Sequence, residues 1–308
     1  MSQQTTDTVL MVRPARFAFN PETARDNLFQ HDAPQRDGVH RAALAEFEAY
    51  VDALRARRIN VLVVDDTLDP PTPDSIFPNN WWSSHADGSL VLYPMRAPNR
   101  REERHGPVLG ALARHAQWPV TVDLSGYERE AVFLEGTGSV VFDRDTRRCY
   151  ACRSPRTHQQ VLDALTQWLG YETIVFDAVD ARGAPIYHTN VMMWIGTALA
   201  GVCLDAITDV QARRDVLASL RAAGKHVIEL SGAQLAAFAG NMLELRDGDG
   251  APMLVMSRTA WASLDVMQRA LIEAHATPVV VDIDTIEHVG GGSARCMLAE
   301  VFAPTARA

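Results

Sequence analysis

The stretch "TPVVVDIDTIEHVGGGSARCMLAE", residues 277–300, holds a short apolar strand, a glycine-rich loop and a second apolar run that opens on a cysteine. It follows a segment of helical periodicity at about residues 259–275, so the order is helix, strand, loop, polar residue, strand. Alone, Cys296 in such a run reads as a small core residue. The reading changes because the same order occurs four more times.

Near the N-terminus Leu44, Phe47, Val51 and Leu54 are spaced three, four and three apart, one apolar stripe of a helix. Further helices are expected over about residues 101–116, 157–169 and 209–223. Each leads into a short apolar strand: "INVLVVDD", "WPVTVDLS", "YETIVFDA" and "KHVIELSG". A loop and one or two more strands follow, as in "GSLVLYP", "GSVVFD" and "ALAGVCLDAI". Repetition at this period decides architecture before any motif does. Helices alternating with mixed strands predict an α/β fold. Five equal units with open faces to bury close most simply into a ring, a five-bladed, pseudo-fivefold α/β propeller. No Ser- or Pro-rich linker divides the chain, and Pro70, Pro71 and Pro73 read as a rigid turn. Residues 1–308 therefore read as a single domain.

The first residues after each loop are "FPNNWWS" around Asn80, "FLEGTGS" around Glu135, "YHTNVMM" around His188, "AGNMLEL" around Asn241 and "ARCMLAE" around Cys296. Their separations are 55, 53, 53 and 55 residues. Each blade thus delivers one polar residue at the same point of its unit, and in a closed ring the five converge near the axis. Packing does not favour polar groups there, because each buried one needs a partner. A carboxylate, an imidazole, two amides and a thiol in one place make a candidate site.

Bulk properties narrow the chemistry. The formal charge is −9 and basic residues do not cluster, which argues against nucleic acid and anionic membranes as partners. No apolar run spans a bilayer, and "MSQQTTDTVL" lacks the basic start and apolar core of a signal peptide, so a cytoplasmic protein is expected. A homo-oligomer is compatible with the sequence. Cys149 and Cys152 form a lone C-x-x-C in "RRCYACRS", with no second pair or histidine pair nearby. On a strand, positions three apart face opposite ways, so packing is the expected role and no metal site is assigned.

Cysteine, histidine and carboxylate form a nucleophilic constellation whatever their chain order. Cys296 is expected to attack as thiolate, and His188 to protonate a leaving group and then deprotonate water. Glu135 would orient the imidazole. Asn80 and Asn190 offer donors and acceptors to a neutral planar group. Gly290, Gly291 and Gly292 read as freedom to bend beside a ligand. Singly each signal has a bland alternative: a satisfied structural histidine, a turn acid, or a strand-capping amide at Asn241. The equal spacing is what joins them.

These motifs resemble the guanidine-modifying superfamily, the penteins. "LEGTGSVVFD" resembles its acid-Gly-Gly strand, "HTNVMM" its His-x-Asp strand and "GGGSARCML" its cysteine loop. "RAPNRREE" and "SPRT" resemble the basic substrate-binding segments of dimethylarginine hydrolases. The resemblance runs from Arg13 to Phe302 and implies the same propeller, with Cys296, His188 and Glu135 as the catalytic residues and no metal or organic cofactor. It implies an arginine for the substrate carboxylate: Arg156 first, Arg100 or Arg101 second. Phe77 and Asn79, in the same loop as Asn80, are expected to cover the substrate, while at least one of Trp81 and Trp82 packs in the core.

Two departures bear on the substrate. Members acting on guanidinium place an aspartate in the first-blade loop, and deiminases another two residues after the histidine; here stand Asn80 and Asn190. A buried cation wants carboxylates, whereas a ureido oxygen wants a donor that aspartate cannot supply. With "SIFPNNWWSSH" and "YACRSPRT", the chain is similar to the citrulline ureidase branch, which implies hydrolysis of citrulline to ornithine, ammonia and carbon dioxide. The alternatives are an arginine deiminase or dimethylarginine hydrolase, a transferase of the same group, and a non-catalytic amino-acid-binding propeller. The last is disfavoured by the presence of all three catalytic residue types.

Overall fold

Five three-stranded sheets of one plan make up the protein, seen in a computed structural model that describes residues 4–33, 36–104 and 106–302. Strands β1 (Thr8–Arg13) and β2 (Asn60–Asp65) belong to the first sheet. The next three are β3 (Trp82–Ser84), β4 (Ser89–Leu92) and β5 (Val120–Asp123); then come β6 (Val141–Asp143), β7 (Arg148–Cys152) and β8 (Glu172–Phe176). The fourth sheet holds β9 (Met193–Ile195), β10 (Leu199–Val202) and β11 (His226–Glu229). The fifth holds β12 (Leu243–Arg246), β13 (Pro252–Ser257) and β14 (Thr277–Val281). Finally β15 (Ala299–Glu300) returns to the first sheet.

Within each sheet an antiparallel pair is followed, across a helix, by a parallel third strand. In the second sheet Trp82 pairs with Leu92 antiparallel, and Ser89 with Val120 parallel. In the first sheet β1 lies between β2, parallel to it, and β15, antiparallel with Val9 opposite Glu300. The two ends of the described chain therefore share a blade. The sequence unit, beginning at its helix, straddles two blades: helix and strand finish one and the hairpin opens the next. The expected pentein propeller is the fold observed, with this shift of phase.

The middle strands explain the continuous apolar runs. In β1, β4, β7, β10 and β13 nearly every residue is buried, as in strands covered on both faces. Helix Arg36–Ala56 buries Ala43, Phe47, Tyr50, Val51 and Leu54, while Leu44 of the expected stripe is only half-buried. Two expected helices are each divided. The first becomes Pro98–Arg101 and Gly106–His115, with His105 between them outside the described residues. The second becomes Arg258–Ser263 and Val266–His275. There Asp265 accepts the Gln268 N–H at 2.8 Å, and the Gln268 side chain accepts the Asp265 N–H at 3.0 Å. This capping box starts a fresh helix inside an unbroken apolar period.

Cys149 and Cys152 are both buried, but in different apolar clusters on opposite faces of β7. Trp81 and Trp82 are both core residues. Among the described residues no cluster of three or more His, Cys, Asp or Glu side chains could hold a metal, and no helix is long and apolar enough to cross a membrane.

Candidate active site

At the mouth of each blade's first strand the chain makes a short turn that aims one polar side chain inward. Asn80 ends the 3-10 turn Pro78–Asn80 before β3, Glu135 precedes the turn Gly136–Ser139 before β6, and His188 precedes Thr189–Val191 before β9. Cys296 lies in the turn Ala294–Met297 before β15, and Asn241 stands two residues before β12. All five are buried.

Two glycines make the assembly possible. Gly136 has φ +48°, and a Cβ there would fall 2.4 Å from the Asn79 carbonyl oxygen. A Cβ on Gly138 would fall 2.4 Å from Asn80 Nδ2 and 2.8 Å from His188 Nδ1. The bare backbone of Gly138 is thus the floor on which the Asn80 amide and the His188 imidazole meet.

Glu135 and His188 form one half of the centre. His188 Nε2 lies 2.9 Å from Glu135 Oε2. That oxygen also accepts from Arg156 Nη1 at 3.3 Å, and Oε1 accepts the Arg96 backbone N–H at 3.0 Å. Burial favours the protonated acid, yet Arg156, His188 and Arg100 outweigh it and hold the Glu135 carboxyl well below the usual range. The ionised carboxylate fixes the Nε2–H tautomer, leaving the Nδ1 lone pair over Gly138. Burial lowers the His188 pKa; Glu135 opposes this, while Arg156 and Arg100 add to it. His188 is therefore a neutral base in the folded protein near neutral pH.

Cys296 and two amides form the other half. Asn241 Nδ2 donates to Cys296 Sγ at 3.2 Å and Asn190 Nδ2 at 3.6 Å. The Cys296 N–H is accepted by the Ser293 carbonyl at 2.9 Å and faces Asn241 Oδ1 at 3.4 Å. Asn241 Nδ2 also donates to the Asn190 carbonyl at 2.9 Å. Asn241 thus ties the thiol to the histidine blade. Two amide atoms at this centre are buried without a hydrogen-bond partner, Nδ2 of Asn80 and Oδ1 of Asn190, as is Oδ1 of Asn79, whose Nδ2 bonds Thr137.

The remaining expected site residues fall in three places. Arg156 reaches the centre, bonded to Glu135, paired with Asp26 and lying 5.0 Å over the Tyr187 ring. Arg100 also reaches it, donating to Asn80 Oδ1 at 2.7 Å from a buried pair with Glu103. Arg101 does not: it binds the Met95 and Arg96 carbonyls and faces Glu128. The Phe77 ring is a packing element, because Cβ atoms on Gly290 and Gly292 would come within 2.8 Å of it. Gly291, at φ +63°, is pressed against Gln30 and Asn27. The expected freedom to bend is used at Gly291, but the space beside the triple glycine is filled by these side chains and not by a ligand. What the glycines allow is close seating of the cysteine loop.

Asp26 and Asp74 carry no periodic signal in the sequence, yet both bear on the site. Asp26 bonds Arg156 and Arg96, and Asn20 and Thr23 bond Asp74 at 2.8 Å, so the segment before the first helix is laid over the centre. A cavity of about 380 Å³ is lined by Glu22, Arg25, Asp26, Arg96, Phe133 and Arg156. The other Asp74 oxygen is buried and unpaired. The side-chain bonds of these two acids reach across more than 50 residues.

Five such sheets, with cysteine, histidine and acid at the strand mouths, define a pentein, the fold of the guanidine-modifying superfamily. The chain belongs to the N,N-dimethylarginine dimethylhydrolase family of C–N hydrolases, whose eukaryotic model matches residues 13–303. It is 17% identical to the N-terminal domain of ArgZ, an arginine dihydrolase of cyanobacteria, solved as a mutant with its substrate. The TM-score is 0.72, over 96% of this chain and 98% of that one. The AgrE mutant bound to L-arginine gives 18% identity and a TM-score of 0.74, over 97% of this chain but only 40% of that one. The dimethylarginine hydrolase of Pseudomonas aeruginosa complexed with citrulline gives 14% and 0.68, over 97% of this chain and all of that one. At these identities the likeness shows the fold. No curated protein matches the chain.

Proposed function

We propose that this protein hydrolyses the ureido group of citrulline to ornithine, ammonia and carbon dioxide. The observation that carries this is the set of unpaired amide atoms, one donor on Asn80 and one acceptor each on Asn79 and Asn190. A ureide presents the complement, one carbonyl oxygen flanked by N–H groups, and would satisfy all three. A guanidinium has no acceptor for Asn80 and would add a cation beside Arg100 and Arg156. The carboxylate of Glu135 is already engaged by Arg156 and His188.

Cys296 Sγ adds to the ureido carbon, and Asn80 Nδ2–H bonds the oxygen as negative charge gathers on it. The proton leaving the thiol passes to His188 Nδ1, and the imidazolium is stabilised by Glu135. His188 returns that proton to the departing nitrogen, giving ammonia or the ornithine amine and a thiocarbamate on Cys296. Neutral His188 then takes a proton from water, whose oxygen attacks the same carbon and expels the thiolate. The resulting carbamate loses carbon dioxide to give the second amine. Arg156 holds the substrate carboxylate in exchange for Asp26, and Asp74 faces its ammonium.

A second reading starts one step earlier, from arginine, and is favoured by the likeness to the ArgZ domain. Assay of the purified protein with citrulline, arginine and dimethylarginine, scored for ornithine and ammonia, separates the two. Ornithine and one ammonia from citrulline, with arginine inert, supports the ureidase. Two ammonia per ornithine from arginine supports the dihydrolase. Accumulation of citrulline from arginine, with no ornithine formed, overturns both.

A further inference from the structure

The two ends of an asparagine amide have the same shape and opposite hydrogen-bonding character, so a neighbour must decide which end meets a ligand. At Asn80 that neighbour is Arg100, whose Nη1 donates to Oδ1 at 2.7 Å. A guanidinium has donors only, so no other orientation of the amide completes this bond. Nδ2 is thereby turned over Gly138, where it is buried and unpaired.

Arg100 is held on several sides. Its Nε and Nη2 grip Glu103 at 2.8 and 2.9 Å, and Nη2 also meets the Phe77 carbonyl at 2.9 Å. Both Arg100 and Glu103 are 2% exposed. Every nitrogen of the guanidinium is thus bonded to the protein.

We infer that Arg100 is a positioning residue that sets substrate specificity: it locks the Asn80 amide with its NH2 toward the reaction centre, so the site demands an acceptor there. The ureido oxygen meets that demand; a guanidinium nitrogen sets N–H against N–H. This rests on the ureide reading above and adds the side chain that enforces it.

The test is a mutant cycle on two substrates. Arg100→Met combined with Glu103→Leu removes both buried charges together and avoids stranding one of them. It is compared with Asn80→Ala and with all three changes, using citrulline and N-carbamoylputrescine, which keeps the ureide and lacks the α-carboxylate. Where turnover of the latter is slow, its inhibition constant serves. Losing the lock lowers kcat/KM about tenfold on both compounds. In the Asn80→Ala background the same change costs nothing further, which a merely structural role would not produce. Arg100→Lys, which keeps a charge opposite Glu103, is measured alongside and shows the same pattern.

A loss confined to citrulline makes Arg100 a carboxylate binder and overturns the inference, as does a loss undiminished in the Asn80→Ala background. Either result leaves citrulline hydrolysis by the wild type standing. A wild type that converts arginine and ignores citrulline overturns the substrate reading and the inference together.

Discussion

Glu135 Oε2 and His188 Nε2 stand 2.9 Å apart across 53 residues of sequence, and that contact turns the other imidazole nitrogen toward Gly138. It also sets the sign of the pH response. Both groups have folded-state pKa values below their ordinary ones of 4.5 and 6.5. Each therefore contributes stability that is complete above its ordinary value and is lost as pH falls toward the folded one. Thermal melts should show a first loss beginning below about pH 6.5 from His188 and a second below about pH 4.5 from Glu135. The acid limb of kcat/KM should have its midpoint below 6.5 and move lower in Glu135→Gln. Activity that instead falls as pH rises through the His188 pKa would show that protonated His188 is the working form.

Replacing Cys296, the proposed nucleophile, should separate chemistry from folding. Cys296→Ser keeps the size of the side chain and both amide contacts, so its melting temperature should stay within a few degrees of wild type. Its turnover should fall by about a thousandfold or more. Residual activity above a tenth of wild type would refute the assignment.

Gly138→Ala adds one methyl group between Asn80 and His188, where 2.4 and 2.8 Å are available. The side chains must move apart, and a displacement on the order of 1 Å at reacting groups costs about a hundredfold in rate. Unchanged kinetics would mean that the two side chains are not set by this contact.

Carboxylates in place of the amides invert the site's preference. In Asn80→Asp with Asn190→Asp, residue 80 would pair with Arg100 and present no donor to a ureido oxygen. We expect ureide turnover to fall by at least about a hundredfold, the loss of one oxyanion donor. Steady-state rates on citrulline and arginine read this directly, and equal loss on both would point to general damage.

What the sequence revealed follows from where periodicity acts. Core strands and helix faces repeat at fixed intervals, so the five blades and the inward places of Asn80, Glu135, His188, Asn241 and Cys296 were legible. The helix break at Asp265 was also written there, as Asp followed three residues on by Gln, but the surrounding apolar period hid it. The partners of Arg156 and Arg100 were not legible. Asp26 acts from irregular chain, 130 residues from Arg156, and nothing local marks it. Phe77 looked like a lid because its loop carries Asn80, whereas the triple glycine draws its ring into the core.

The pairing of β15 with β1 has a consequence for how catalytic competence arises. Cys296 sits three residues before a two-residue strand whose β-sheet partner is formed by residues 8–13. Contacts of such separation are late and slow to form, because the entropy of closing so long a loop is paid first. Cys296 is seated next to the strand pairing that joins the circle. A chain with four completed blades would still lack the seat of Cys296, so on the proposed reading its chemistry would begin only when the first and last strands meet.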